Sequence, residues 1–353
     1  MITIKEIARL CDVSVATVSN VINDKPNVGE KTRRRVLKIM EELDYTPNYV
    51  AKNLKMRHTR SIGVIAEDMT VFSIPDIIDG ITKHCEEEGY QILLFNLRLY
   101  KKYQDSYYRS TDFYGKVERE IKDLMGKQVE GIIYVAAHER KIGCIPENLP
   151  IPTVMAYGYS ETANTPSVVV DDVDAAFQAV EYLISKGHRD IGVVTGKRYS
   201  IHTQARLEGY QKALYRNGIL YDPSLVVTGD WLRESGYENT ENLLKQGVTA
   251  IFCMNDIMAG GVYDKFEELG LVVGRDISVV GFDNVDLSEY YKPALTTVQL
   301  PLHEIGYRAS EIMQELLKKR DARGDSLDES ASSNGVYQMR CKLLERKSVR
   351  VLS

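Results

Sequence analysis

Apolar positions change rhythm once along the chain, near residue 60. Before that point they recur at helical spacing. Ile4, Ile7, Ala8 and Leu10 form one run, Cys11-Asp12-Val13 breaks it, and Val15, Val18, Val21 and Ile22 form the next. Thr3 stands ahead of the first run with Glu6 three residues on, the spacing of a capping box, and Ser14 stands ahead of the second. Two short helices joined by a turn of three or four residues follow the helix-turn-helix plan. A third amphipathic helix is predicted over Thr32–Leu43. Val36, Leu37, Met40 and Leu43 would close a small core, with Lys31, Arg33, Arg34, Arg35 and Lys38 outside.

Beyond residue 60, short apolar runs alternate with amphipathic stretches. SIGVIA, YQILLF, GIIYVA and IPTVMA make a first series; SVVV, DIGVVTG, SLVVTGD, AIFCMND and DISVVGFDN make a second. Strand-helix alternation of this kind predicts an α/β fold with parallel sheets covered by helices on both faces. Two series suggest two subdomains with a cleft between them, assigned approximately to 61–160 plus 292–322 and to 161–291 plus 323–353. Pro301–Lys319 reads as a further helix, Lys318–Asn334 as a polar connection, Val336–Leu344 as one late strand, and Gly281–Asn284 as a loop. Ligands in such sheets bind at the carboxyl ends of the strands.

Composition sharpens this division. A chain of 353 residues suits two or three domains. The net charge of −5 conceals an asymmetry: residues 1–60 hold 12 Lys+Arg against 7 Asp+Glu, so residues 61–353 carry −10. A basic head on an acidic body is expected of a nucleic-acid-binding module joined to something else. Five scattered cysteines without CxxC spacing argue against a disulfide framework or a zinc site and suit a reducing cytosol. The charged start MITIKEIARL lacks a signal-peptide core, and no stretch reaches the roughly 18 apolar residues of a membrane span. A cytoplasmic protein is expected, with no membrane association. There is no GxGxxG, P-loop or HExxH, and Gly196-Lys197 lacks Walker spacing. Asp171, Asp172 and Asp283 have no nucleophile or metal cluster beside them in sequence, so neither enzyme, metal nor cofactor is expected.

The string from TIKEIARLCDVSVATVSNVIND through KTRRRVLKIMEELDYTPNYVAKNLKMRHTRSIGVI resembles the head and hinge of the lactose repressor family of bacterial transcription regulators, especially its purine repressor branch. Its Val-Ser-x-x-Thr-Val-Ser pattern stands at Val13–Ser19, and its Tyr-x-Pro-Asn signature at Tyr45–Asn48. The resemblance implies a helix-turn-helix domain over 1–46 and a hinge helix and linker over 47–60. Val15, Ala16 and Asn20 would meet base edges, Asn20 where the family often has Arg. Val15 and Ala16 suit a thymine methyl, and Asn suits adenine. Thr17, Ser19 and Asn23 would position phosphates, and Thr3, Ser14, Tyr45 and Asn48 complete the expected DNA-facing set. Leu54 matches the hinge leucine that wedges into the minor groove, beside Lys52, Lys55, Arg57 and Arg60.

The resemblance extends through 61–353 as a periplasmic-binding-protein-like body, with KGHRDIGVVTG, ARLEGY, MNDIMAGG, DISVVGFDN and PALTTV as landmarks. It implies effector contacts at Arg206, Trp231, Asn255 and Asp283. Arg and Asp can bracket hydroxyls, and Trp supplies a stacking face. The chain departs at Tyr157, where the family often has Asp, and at Ser73 and Ile74, which fall where an aromatic pair is usual, with Phe72 adjacent. Phe72, Ile74 and Tyr157 therefore join the candidate effector set. LYKKYQDSYYRSTDFYGKVER reads as an insertion after the second strand, either a cleft-mouth loop or a surface elaboration. The expected protein is an allosteric repressor that binds palindromic operator DNA as a homodimer under the control of a sugar effector. A purine-type corepressor is the alternative, and a sugar-binding protein or enzyme a more distant one. No leucine heptad follows the last strand, so no tetramer-forming tail is expected.

Overall fold

The computed structural model describes residues 2–22, 24–45, 59–162, 164–323 and 335–352. The chain divides into two compact units, Met1–Thr59 and Arg60–Ser353. In the first, α1 (Ile4–Leu10) opens with the predicted capping box: the Glu6 amide donates to Thr3 Oγ1, and the Thr3 amide donates to Glu6 Oε2 at 2.7 Å. The second helix, α2 (Val15–Ile22), begins where the Thr17 amide donates to Ser14 Oγ at 3.0 Å. The third, α3 (Glu30–Glu42), starts two residues before the predicted Thr32. The three helices enclose Ile7, Ala8, Cys11, Val18, Val21 and Val36.

The second unit contains two six-stranded sheets. Lobe one has the order β13-β7-β5-β3-β1-β2, all parallel, from β1 (Ser61–Ala66), β2 (Gln91–Asn96), β3 (Gly131–Val135), β5 (Thr153–Ala156), β7 (Ser167–Val170) and β13 (Val336–Met339). A two-stranded ribbon of β4 (Lys141–Ile142) and β6 (Tyr159–Ser160) lies apart from it. Helices α4 (Ser73–Glu87), α5 (Leu99–Tyr103) and α6 (Tyr114–Gly126) connect its early strands. Lobe two has the order β14-β12-β11-β10-β8-β9, from β8 (Ile191–Thr195), β9 (Val226–Thr228), β10 (Ala250–Cys253), β11 (Ser278–Asp283), β12 (Thr296–Gln299) and β14 (Lys342–Leu344), which alone runs antiparallel. Its helices are α7 (Asp172–Ser185), α8 (Ile201–Arg216), α9 (Arg233–Lys245), α10 (Asp256–Glu268) and the short α11 (Leu287–Tyr290). The long α12 (Leu302–Arg323) returns to lobe one and packs on α4. Parallel strands are covered on both faces, which is why β3 and β10 read as unbroken apolar runs and are buried at every residue.

The sheets correct the expected subdomain limits. Strand β7 stays with lobe one, so the chain first crosses at 171 rather than 160; β12 stays in lobe two, so it returns at 300 rather than 291. The late strand is two strands, β13 in lobe one and β14 in lobe two. An apolar run such as SVVV carries no mark of which sheet will accept it, because hydrogen bonding along a ladder is independent of side-chain identity. The GFDN segment is strand through Asp283 rather than loop. No helix among the described residues is long and apolar enough to cross a membrane.

Candidate functional site

In the head, Val15 and Ala16 sit in the first turn of α2 with exposed side chains, Val15 at 41%. An apolar residue left in water at a helix start, while Val18 and Val21 of the same helix are buried, is placed for contact with something else. Thr17, Ser19 and Asn20 are half-buried on the same helix, and Ser14 Oγ lies 2.9 Å from Thr17 Oγ1. Thr3 is spent largely on its cap. Tyr45 packs against the head core as a partly buried ring. Asn23, Asn48, Lys52 and Leu54 lie outside the described residues, as does most of the expected hinge.

In the body, a cleft of about 770 Å³ opens between the lobes. Much of its floor follows the carboxyl ends of parallel strands: His138, Glu139 and Arg140 after β3, Tyr157 after β5, Lys197 after β8, Trp231 after β9, Asn255 after β10, and Asp283 at the end of β11. Backbone amides and strand ends converge there because all strands of a parallel sheet point the same way. Tyr157, Trp231 and Asp283 adopt positive φ (58°, 78° and 102°), a costly conformation for residues with a Cβ. Three such outliers at or just beyond strand ends of one cleft mark it as the place where the fold bends to aim side chains.

Arg206, on α8, organises the floor. Its Nε donates to Asp172 Oδ1 at 2.7 Å, an Nη donates to the Met254 carbonyl, and Asp283 Oδ1 lies 3.5 Å away. The guanidinium also lies over the Phe282 ring at 3.6 Å and 5.8 Å from Trp231. His202 Nδ1 meets Asp172 Oδ2 at 2.5 Å. Burial works against the Asp172 charge, but Arg206 and then His202 outweigh it and hold the carboxyl at about 2. Asp283 fares differently: burial raises it to about 7 despite the pull of Arg206. Burial and then Asp172 raise Glu139 well above the usual range. Burial also lowers His138 to about 3, with His202 adding to the effect.

Asn255 is more constrained than expected. Its Oδ1 caps α10 by accepting from the Met258 amide at 2.8 Å, and its Nδ2 donates to the Trp231 carbonyl at 3.0 Å. It therefore holds Trp231 in place. Gly196 makes room for that indole, since a Cβ there would sit about 2 Å from three ring atoms. Phe72 reaches the cleft and is 43% exposed. Ile74 does not: it is fully buried in the core beneath α4, because the helix that starts at Ser73 turns it toward the sheet. That candidate is withdrawn.

Sequence reasoning passed over Glu139, His202 and Asp172 as a group. They bring one ligand atom each within 4.8 Å of one another. Arg206, bonded to Asp172, already sets a positive charge beside this group, which suits hydrogen bonding to a ligand better than metal coordination. Glu139 Oε2 and His202 Nε2 are buried with no hydrogen-bond partner among the described residues. Glu139 Oε1 is taken by the Val170 amide at 2.6 Å. The signal was present in the sequence: His138-Glu139-Arg140 directly follows an apolar strand, where a parallel sheet places its ligands.

Two family models match the chain: bacterial regulatory proteins of the lacI family over residues 3–48, and a periplasmic binding protein-like domain over 180–349. The HTH-type transcriptional repressor PurR of Vibrio atlanticus (strain LGP32) is 31% identical over 358 residues, covering 100% of both chains. The PurR of Salmonella arizonae is 33% identical over 355 residues, covering 99% of this chain and 97% of the other. Among solved structures, a lac repressor dimer bound to operator and the anti-inducer ONPF is similar over 99% of both chains, with 26% identity and a TM-score of 0.76. The chain belongs to the lacI family of bacterial regulatory proteins, as a purine-repressor-like, DNA-binding transcriptional repressor and not an enzyme.

Proposed function

We propose that this repressor binds a palindromic operator as a homodimer, in the cytoplasm at the nucleoid, and that a sugar or sugar derivative in the body cleft sets its affinity for DNA. In this reading α2 enters the major groove, with Val15, Ala16 and Asn20 toward base edges. Thr3, Ser14, Thr17, Ser19, Asn23, Tyr45, Asn48 and Lys52 position the backbone, and Leu54 wedges between base steps. Homodimer and operator are supported by the similar lac repressor dimer, which was solved on its operator. Two-fold symmetry of the protein and of the site go together.

The observation that carries the effector reading is the combination in one cleft of a charged, hydrogen-bonding floor with aromatic walls. Arg206, Asp283, Glu139 and His202 face a ligand that both donates and accepts, while Trp231, Tyr157 and Phe72 offer ring faces. A polyhydroxylated ring satisfies both, stacking its C–H face and bonding through its edge. The alternative, a purine-like corepressor, is supported by the similarity to the PurR repressors, and its flat ring also suits Trp231.

Thermal unfolding of the full chain against monosaccharides, disaccharides, sugar phosphates and purines separates the two. A ligand at 100 times its Kd adds about 2.7 kcal/mol. A saturable shift with sugars, lost in Asp283→Ala, is the expected result; a shift confined to purines establishes the corepressor instead. Titration of operator DNA with and without the active compound then gives the sign of the coupling, which linkage requires to be reciprocal.

A further inference from the structure

Between β2 and α6 the chain leaves lobe one and reaches lobe two across the cleft. Its root is firm. The Leu99 amide donates to the Glu67 carbonyl at 2.9 Å, and the Lys101 amide donates to Asp68 Oδ2 at 2.9 Å. Tyr107 is buried, with its ring centroid 4.2 Å from that of Tyr108 and 6.1 Å from Phe113. The Arg140 guanidinium lies 5.1 Å and 5.5 Å from the Tyr107 and Tyr108 rings, and a buried ion pair with Glu67 fixes it there. Arg98 and Gln104 bracket α5 at φ values of 58° and 48°, backbone that persists only where its surroundings hold it.

The far end touches the other lobe. Asp105 pairs with Lys197, and the Arg109 guanidinium lies 3.7 Å from the centre of the Tyr199 ring. Lys197 and Tyr199 belong to the connection between β8 and α8 of lobe two. Tyr100, Gln104, Tyr108 and Arg109 line the same cavity as Trp231. Both cross-lobe contacts are partly open to water, the Lys197 and Asp105 side chains at 25% and 45% exposure. Contacts of that kind are individually weak, which suits a catch that must release.

We propose that residues 99–109 form a strap that holds the two lobes closed over the effector, gripping lobe two through Asp105–Lys197 and Arg109–Tyr199 and bringing Tyr100 and Tyr108 against the ligand. The proposal rests on the cleft being the effector site. It adds that closure is controlled from the strap, so that the strap decides both which ligands are enclosed and how fast they leave. An effector too large to pass beneath it is excluded.

Trp231 reports on this directly, being the single tryptophan of the chain and lining the enclosed cavity. Acrylamide quenching of its fluorescence in the full-length protein, without any effector, measures how often the cleft is open. Asp105→Asn combined with Arg109→Gln should steepen the quenching slope roughly two- to fivefold, the effect of losing two contacts of this class. Asp105→Lys alone should open the cleft as well, and Asp105→Lys with Lys197→Asp should return the slope to that of the parent. A slope unchanged in the double-neutral variant, or a charge exchange that stays as open as its single parent, overturns the strap. The readout needs no ligand, so failure of every sugar to bind would count against the effector reading and leave this result standing on its own.

Discussion

The head and the body handle polar chemistry in opposite ways. Among the described residues, the head encloses a small core of six buried apolar residues and leaves Val15 and Ala16 exposed at the start of one helix, where they pay no desolvation. The body buries its candidate contacts at the junction of two sheets and must compensate each charge in place: Asp172 against Arg206 and His202, and Asp283 against Arg206. A surface of the first kind tolerates substitution of any one contact without loss of fold. A floor of the second kind does not, because removing one member strands the rest. Specificity for DNA can therefore drift by point substitution in α2, while the effector floor changes only through compensated sets.

The largest test of this contrast is Arg206→Ala, which leaves Asp172 and Asp283 without their cation. Thermal or denaturant unfolding should show a loss of about 3–5 kcal/mol in the body. A loss below 1 kcal/mol would mean that water already reaches the floor and that the contrast with the head is false. Next is Asn20→Ala, which should leave the stability of the head unchanged and relax discrimination by about 1–3 kcal/mol at one base pair per half-site. Uniform weakening on all operator variants would show that Asn20 positions rather than reads. Thr3→Ala removes the capping box of α1 and should cost about 1 kcal/mol, measured on the head transition.

A further test uses pH. Asp283 has its carboxyl raised to about 7 in the folded body, above its ordinary 3.8. The folded state therefore takes up this proton before the unfolded state does. The contribution of Asp283 to stability grows as pH falls from above 7 toward 4 and is level below that. Asp172, lowered to about 2, acts in a separate window: its contribution is present above 3.8 and fades as pH falls toward 2. Asp283→Asn should flatten the unfolding profile between about pH 4 and pH 7 only. An unchanged profile there would show that Asp283 titrates like a solvated carboxylate.

The legibility of the two regions follows the same divide. In the head, capping residues, helix limits and outward positions could be read because each depends on neighbours three or four residues away. Thr3 with Glu6 and Ser14 with Thr17 are local pairs. In the body, strands and helices were legible from their alternating runs, and the resemblance pointed to Arg206, Trp231 and Asp283, which line one cleft. Ile74 was chosen because it stands where the family's aromatic pair is usual; each helical residue turns a side chain through about 100°, so two residues past Phe72 it faces the core. Glu139 and His202 were overlooked because they stand 63 positions apart and meet only when the lobes do.

The sequence by itself determined the helical head, the α/β class of the body, the basic-to-acidic division between them and the residue types available to read DNA. Those properties are set by periodicity, capping and composition, which act over a few residues or over the whole chain. Tertiary structure alone decided which sheet takes β7, β12 and β13, that Asn255 serves Trp231, and that Asp105 and Arg109 reach Lys197 and Tyr199. The physical reason is that ladder pairing and charge compensation depend on distances in space. No pattern along the chain encodes a meeting between residues about ninety positions apart.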